Sequence, residues 1–180
     1  PKKKYIVSAL STLVKLGALG PGKESSDNLD TYKITRVGMA MRSLPVEPNV
    51  AKSIIVSHHY GCEDRMLTLA AILESVSDLN ELYVKLRLPK NKEVAKKIQG
   101  EYNKRTKAFI SKQGDHISML NIYDAYVAHK ELVTSQGTEL TSEQWCRENY
   151  INCKKLKKVS KNAKKLKRSM KQLGRRIPSM

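Results

Sequence analysis

Residues Gly17-Ala18-Leu19-Gly20-Pro21-Gly22-Lys23 have the GxxxxGK spacing of a loop that cradles phosphate groups with backbone N–H donors. The next position should carry a hydroxyl for Mg²⁺, but it is Glu24, whose carboxylate would repel the phosphates. Pro21 removes a donor from the cradle. A helical pattern precedes the loop where a strand is required, and SSDN follows where a helix is required. The match is a look-alike. His58 and Cys62 are four apart and could share a helical face, yet further metal ligands would have to come from distant His116, His129 or Cys146. Zinc sites usually show two close pairs. No GxSxG elbow is present, and Asp115-His116 reads as a helix start rather than part of a triad. No catalytic residue, cofactor site or metal site is expected in this chain.

Cationic chemistry is better supported. The 180 residues carry 34 Lys/Arg and 17 Asp/Glu, a formal charge of +17. Residues 151–180 hold twelve Lys/Arg and no acid; the first 150 hold 22 basic and 17 acidic groups, a net of +5. Such asymmetry points to an anionic partner, with nucleic acid ahead of a membrane surface or an acidic protein. Clustered lysines neutralise phosphates and release counterions. The plainer reading is a solvated helix with import-signal character in KKLKK and KKLKR. Within QWCRENYINCKK, Arg147, Asn149, Tyr150, Asn152, Lys154 and Lys155 combine cations with planar and hydrogen-bonding side chains, the mix that reads phosphate, sugar and base. Trp145 in the same stretch is read first as a core anchor, and Arg147 could equally form a rim salt bridge around Glu148 or with Glu143.

The elements that must position these groups are helices. Hydrophobic residues make up 40% of the chain, enough for a core, with only nine Gly, six Pro and one Phe. No apolar run reaches membrane-spanning length. Cys62, Cys146 and Cys153 form no CxxC pair, so a reducing compartment is expected. The chain begins PKKK without an apolar signal region and reads as a segment of a longer protein.

Ile6, Leu10, Leu13 and Val14 have helical spacing within residues 4–16, and Gly17 ends that helix. Short extended pieces near Leu19 and Tyr32–Ile34 can pair as a wing. Thr35 can cap a helix that stops before Pro45, and LPVEP is a rigid connector. Val50, Ile54 and Ile55 line the next helix. MLTLAAIL, residues 66–73, is apolar almost all round and reads as the central buried helix. Residues 79–89 have no clear period. A basic helix opening at Pro89 should face Val94, Ile98, Tyr102, Phe109 and Ile110 inward. Asp115 is read as the cap of a helix showing Leu120, Tyr123 and Val127, followed by a loop over TSQGTELT. Thr141 or Ser142 should cap a short helix bearing Trp145. Last, Leu156, Val159, Ala163, Leu166, Met170 and Leu173 recur at spacings of 3 and 4, the stripe of a docked helix rather than of a coiled coil.

Five blocks then align in order: LVKLGALG; IT-x-x-G-x-x-M-x-x-LPVEP-x-x-AK; GC-x-D-x-x-LT-x-AAILES; QGDHISMLNIYDAY; and WCRENYIN. Together they resemble the region that follows the motor domains in DEAH-box RNA helicases, over approximately residues 5–173. The resemblance implies a mainly α chain, with a small winged-helix domain (residues 1–60) followed by a helical-bundle ratchet domain (residues 61–180) ending in a basic helix. It also implies RNA-path residues at a helix start, Asp115, His116, Ser118 and Asn121, and after Trp145, where Arg147, Asn149, Asn152, Lys154 and Lys155 fall. The partners implied are single-stranded RNA, the RecA-like motor domains and OB-fold domain of the same protein, and an activator protein, in a nuclear or nucleolar setting of splicing or ribosome assembly. ATP and Mg²⁺ belong to the motor domains, so this segment alone should not hydrolyse ATP. The alternative is a docking scaffold that seats activators and motor domains without binding RNA. Met39 stands where the family tends to have Arg, and SDNLDTYK lengthens the wing.

Overall fold

A computed structural model describes residues 2–20, 32–136 and 141–176. These residues are mainly α-helical, with one short antiparallel ribbon. Glu24 and the rest of the phosphate-loop look-alike beyond Gly20 fall outside them, as does most of the lengthened wing. By internal contacts the chain divides into Pro1–Ala70 with Lys164–Met180, and Ala71–Ala163. The sequence reading drew a single boundary at residue 60.

In the first unit, helix α1 (Lys3–Lys15) keeps Ile6, Leu10, Leu13 and Val14 half-buried on one side. Gly17, at φ +71°, takes the left-handed conformation that ends it. The N–H groups of Gly17 and Ala18 return to the carbonyls of Val14 and Leu13 at 2.8 and 2.9 Å, the Schellman pattern. The chain leaves this turn as strand β1 (Leu19–Gly20), which pairs antiparallel with β2 (Lys33–Ile34), Leu19 opposite Ile34. This is the wing the sequence suggested. Thr35 follows and caps α2 (Arg36–Arg42), its hydroxyl accepting from Gly38 N–H at 2.9 Å and donating to the Gly17 carbonyl at 2.6 Å. One side chain thereby closes one helix, the ribbon and the next helix together. Pro48 opens α3 (Pro48–Ser57), where its missing N–H costs nothing, and Ala51, Ile54 and Ile55 pack toward Ala40 and Met41 of α2.

Helix α4 (Glu63–Leu73) exposes none of its apolar residues; Leu67, Ala70, Ala71 and Ile72 are fully buried. His58 and Cys62 do not share a helical face. They lie in the turn between α3 and α4, where Gly61 interrupts the helix; His58 Nδ1 meets Glu63 Oε2 at 3.0 Å and Cys62 Sγ points at the Ser57 carbonyl.

In the second unit, a 3₁₀ turn (Leu79–Leu82) is capped by Asp78, and the chain continues without regular structure to Asn91. Helix α5 (Lys92–Lys107) starts at the Asn91 cap rather than at Pro89. None of its residues is fully buried. Val94 and Ile110 are 44% and 52% exposed, whereas Ile98, Tyr102 and Phe109 are half-buried. The expected inward face holds in part at Ile98, Tyr102 and Phe109 and fails at Val94, in the first turn, and at Ile110, beyond the helix end, where helical spacing no longer applies.

Helix α6 (Asp115–Gln136) begins with Asp115 inside its first turn, not outside as a cap; a carboxylate there still complements the helix dipole. The helix also outlasts the expected loop start. Thr134 and Ser135 stay helical by returning their hydroxyls to the carbonyls of Lys130 and Glu131. Helix α7 (Ser142–Glu148) has the capping box of Thr141 and Gln144. Helix α8 (Cys153–Arg176) buries Leu156, Val159, Ala163, Leu166 and Leu173, leaves Met170 half-buried, and turns most of its lysines to solvent. Each buried Leu on that stripe contributes about 1.5–3 kcal/mol relative to an exposed one.

Candidate nucleic-acid interface

The cations cluster where α7 gives way to α8. Helix α7 ends in a second Schellman turn: Tyr150 N–H bonds to the Arg147 carbonyl at 3.2 Å and Ile151 N–H to the Cys146 carbonyl at 2.8 Å. The left-handed residue is Tyr150, at φ +56°, a conformation that costs a side-chain-bearing residue roughly 1–2 kcal/mol. Its ring packs edge-on to Tyr102 at 5.2 Å, and its carbonyl accepts from Val84 N–H at 2.8 Å. Ile151 is buried in a bridge to Tyr83, and Asn152 N–H bonds to the Leu82 carbonyl at 2.8 Å. These contacts hold the joint from both sides.

Arg147 from α7 and Lys154 and Lys157 from α8 line one groove of ≈ 290 Å³ with Val84, Cys146, Ile151, Cys153 and Glu143. Three cations against one carboxylate leave it a formal +2. Lys157 pairs with Glu143, whose carboxyl is held below its ordinary range first by that hydrogen bond, then by the Lys157 charge and more weakly by Arg147. Arg147 and Lys154 are exposed. An apolar lining beside two exposed cations suits a phosphate with its sugar.

The other expected site residues take different places. Asn149 donates its amide to the Trp145 carbonyl at 2.9 Å. Asn152 accepts from Lys155 N–H at 3.3 Å, as a cap of α8 does, and lines a separate groove of ≈ 780 Å³ with Tyr83, Lys85 and Tyr102. Lys155 is half-buried, with its ammonium on Glu81 and the Ser75 carbonyl.

At the start of α6, Asp115 and His116 are exposed. Ser118 is 1% exposed; its oxygen accepts from Ser111 N–H at 2.9 Å and donates to the Gly114 carbonyl at 3.1 Å. Asn121 donates to the Phe109 carbonyl at 3.2 Å. Ser118 and Asn121 therefore tie the α5–α6 loop to α6. Phe109, so held, meets the Trp145 ring at 6.3 Å, and His129 stacks on the same indole at 5.4 Å. Trp145 is half-buried among these rings, as a core anchor would be. Sequence reasoning overlooked Glu81, and it offered Glu143 to Arg147 rather than to Lys157, with which it pairs; these two ordinary acids decide which lysines are paired. Among the described residues no three His, Cys, Asp or Glu side chains converge as a metal-binding group, and no helix is long and apolar enough to cross a membrane.

Residues 47–119 match the family described as helicase-associated domain (HA2), ratchet-like. Over most of its length the chain is similar to the helicase-associated region of DEAH-box RNA helicases. It is similar to the human ATP-dependent RNA helicase DHX33, with 32% identity over 160 residues, 89% of this chain and 18% of that protein. It is also similar to the mouse putative pre-mRNA-splicing factor ATP-dependent RNA helicase DHX32 (29% over 157 residues, 87% of this chain, 18% of the relative). The Arabidopsis thaliana pre-mRNA-splicing factor ATP-dependent RNA helicase DEAH10 is 27% identical over 187 residues, covering 99% of this chain and 23% of the relative. The chain thus spans between 18% and 23% of the length of these curated relatives.

Proposed function

We propose that this chain grips single-stranded RNA within a DEAH-box ATP-dependent RNA helicase while RecA-like motor domains elsewhere in the protein bind ATP and Mg²⁺ and hydrolyse the nucleotide. An OB-fold domain of the same protein and an activator are the further partners of this reading. The α7–α8 groove carries it: Arg147 and Lys154 lie exposed beside an apolar lining, on helices fixed by a capping box, a Schellman turn and a buried stripe. Cations held at constant spacing can bind successive phosphates without reading bases, as a translocating motor requires. Relatives named as pre-mRNA-splicing factors favour a nuclear role in splicing, with ribosome assembly as the other setting.

A titration with a single-stranded oligoribonucleotide at several salt concentrations tests the reading. Affinity should fall with a log–log slope of about −0.7 per phosphate neutralised. Arg147→Ala and Lys154→Ala should each weaken binding and flatten the slope by about 0.7, whereas Lys97→Ala on α5 should leave both unchanged. No binding at low salt would count decisively against it.

One observation favours the docking-scaffold reading. The first unit has a largely apolar groove of ≈ 320 Å³ lined by residues that include Leu13, Leu19, Ile34, Met41, Leu44 and Val46. Ile34 is 49% exposed at its edge, so Ile34→Asp should preserve folding. Loss of activator capture in that variant, combined with absent RNA binding by the parent chain, would favour the scaffold.

A further inference from the structure

Cys146 and Cys153 are separated by six residues that carry no pairing motif. The fold brings them together. The left-handed turn at Tyr150 folds the chain back so that Ile151 N–H meets the Cys146 carbonyl, and α8 begins two residues later with Cys153. Both side chains line the α7–α8 groove, where the Cys153 thiol is near enough to raise that of Cys146. Cys146 is 1% exposed and Cys153 half-buried. Burial, and then contact with Cys153, push the Cys146 thiol up to about 12, so the more reachable Cys153 is the sulfur an oxidant meets first.

We propose that Cys146 and Cys153 are an oxidisable dithiol whose closure to a disulfide narrows the cationic groove. The oxidant is a hydroperoxide. Its terminal oxygen passes to the Cys153 sulfur to give a sulfenic acid, the O–O bond breaks, and the remainder leaves as an alcohol, or as water from hydrogen peroxide. The Cys146 sulfur then attacks the Cys153 sulfur. An S–S bond forms, the S–O bond breaks, and the hydroxyl departs as water with the Cys146 proton. Two thiols lose two electrons and the hydroperoxide gains them; a thiol reductant reverses the step by exchange.

Each sulfur is followed in the chain by a cation of the groove, Cys146 by Arg147 and Cys153 by Lys154. A covalent S–S bond of about 2.05 Å is shorter than any non-bonded approach of two sulfurs, so closure draws together the segments that carry those cations. A phosphate held between them is then displaced. This consequence rests on the RNA reading above; the thiol chemistry does not.

The test treats the chain and its Cys62→Ser variant with a small excess of hydrogen peroxide, followed by intact mass and non-reducing peptide mapping. Both proteins should lose two hydrogens and yield a linked pair of peptides containing Cys146 and Cys153, reversed by dithiothreitol. Cys153→Ser, at a half-buried helix start that accepts serine, should yield no such link. Oxygen adducts at Cys153 without the linked pair, or links running only through Cys62, would overturn the proposal. Oxidation should weaken single-stranded RNA binding roughly tenfold, the loss of about one charge-assisted contact. A formed disulfide with unchanged affinity overturns the narrowing of the groove. A reduced chain that binds no RNA overturns the functional reading, while the linked peptides would still establish the thiol pair.

Discussion

Adding one methyl group at Gly38 should unfold part of the first unit. A Cβ there would lie 2.1 Å from the Ala18 carbonyl oxygen, 2.9 Å from its carbon and 2.9 Å from Ile34 Cγ1. Carbon and oxygen ordinarily come no closer than about 3.3 Å, so the backbone must retreat by roughly an ångström. That carbonyl accepts from both the Thr35 N–H at 3.0 Å and the Thr35 hydroxyl at 3.2 Å, so its retreat loosens the wing and the α2 cap together. Alanine's better helix propensity offsets about 1 kcal/mol. Overpacking costs about 1–3 kcal/mol, and a stranded buried carbonyl a similar amount. The net expectation for Gly38→Ala is a destabilisation of about 3 kcal/mol. Gly100→Ala is the control: a Cβ at that α5 position meets nothing within 4 Å, so it should stabilise by about 1 kcal/mol. Urea unfolding followed by far-UV ellipticity compares the midpoints. A Gly38→Ala protein at least as stable as its parent would refute the close-approach argument.

Leu156→Ala removes a fully buried side chain from α8 and should cost about 2–5 kcal/mol in the same urea assay, whereas Lys158→Ala on the exposed side should stay within about 0.5 kcal/mol. Glu81, Glu143 and Asp64 are each held below the ordinary carboxylate range, first by hydrogen bonds from Lys155, Lys157 and Lys167 of α8. Their charged forms are therefore favoured in the folded chain, so their contribution to stability is present above the ordinary range and lost as pH falls through the lowered values. Urea midpoints measured on acidification should drop across that window, and Lys155→Met should show a shallower drop because Glu81 has lost its partner.

Local signals were readable where neighbours within about four residues decide the outcome. The half-buried face of α1, the Thr35 and Thr141 caps, the Gly17 turn and the α8 stripe all belong to this class. The two ends of the α5 face, Val94 and Ile110, misled because apolar residues at helical spacing do not reveal whether another element arrives to cover them. The end of α6 misled because Thr134 and Ser135 have turn-like side chains that can equally bond back to a helix carbonyl. Ser118, Asn121 and Asn149 have residue types suited to a ligand, yet their side chains are engaged with backbone groups of their own unit. A hydroxyl or amide serves either purpose equally well, and only the course of the neighbouring chain chooses between them.

By itself the sequence determined that the chain is helical, that Thr35 and Thr141 cap helices and which segment concentrates positive charge, because periodicity, caps and composition act over short range. Tertiary structure alone decided which cations are engaged. Lys155 meets a carboxylate 74 positions away, and Lys157 one 14 positions away, while Arg147 and Lys154 face outward. It also set Cys146 against Cys153 through a left-handed Tyr150 that no glycine announces. Charge pairing and thiol contact depend on where distant backbone returns, which local spacing does not encode.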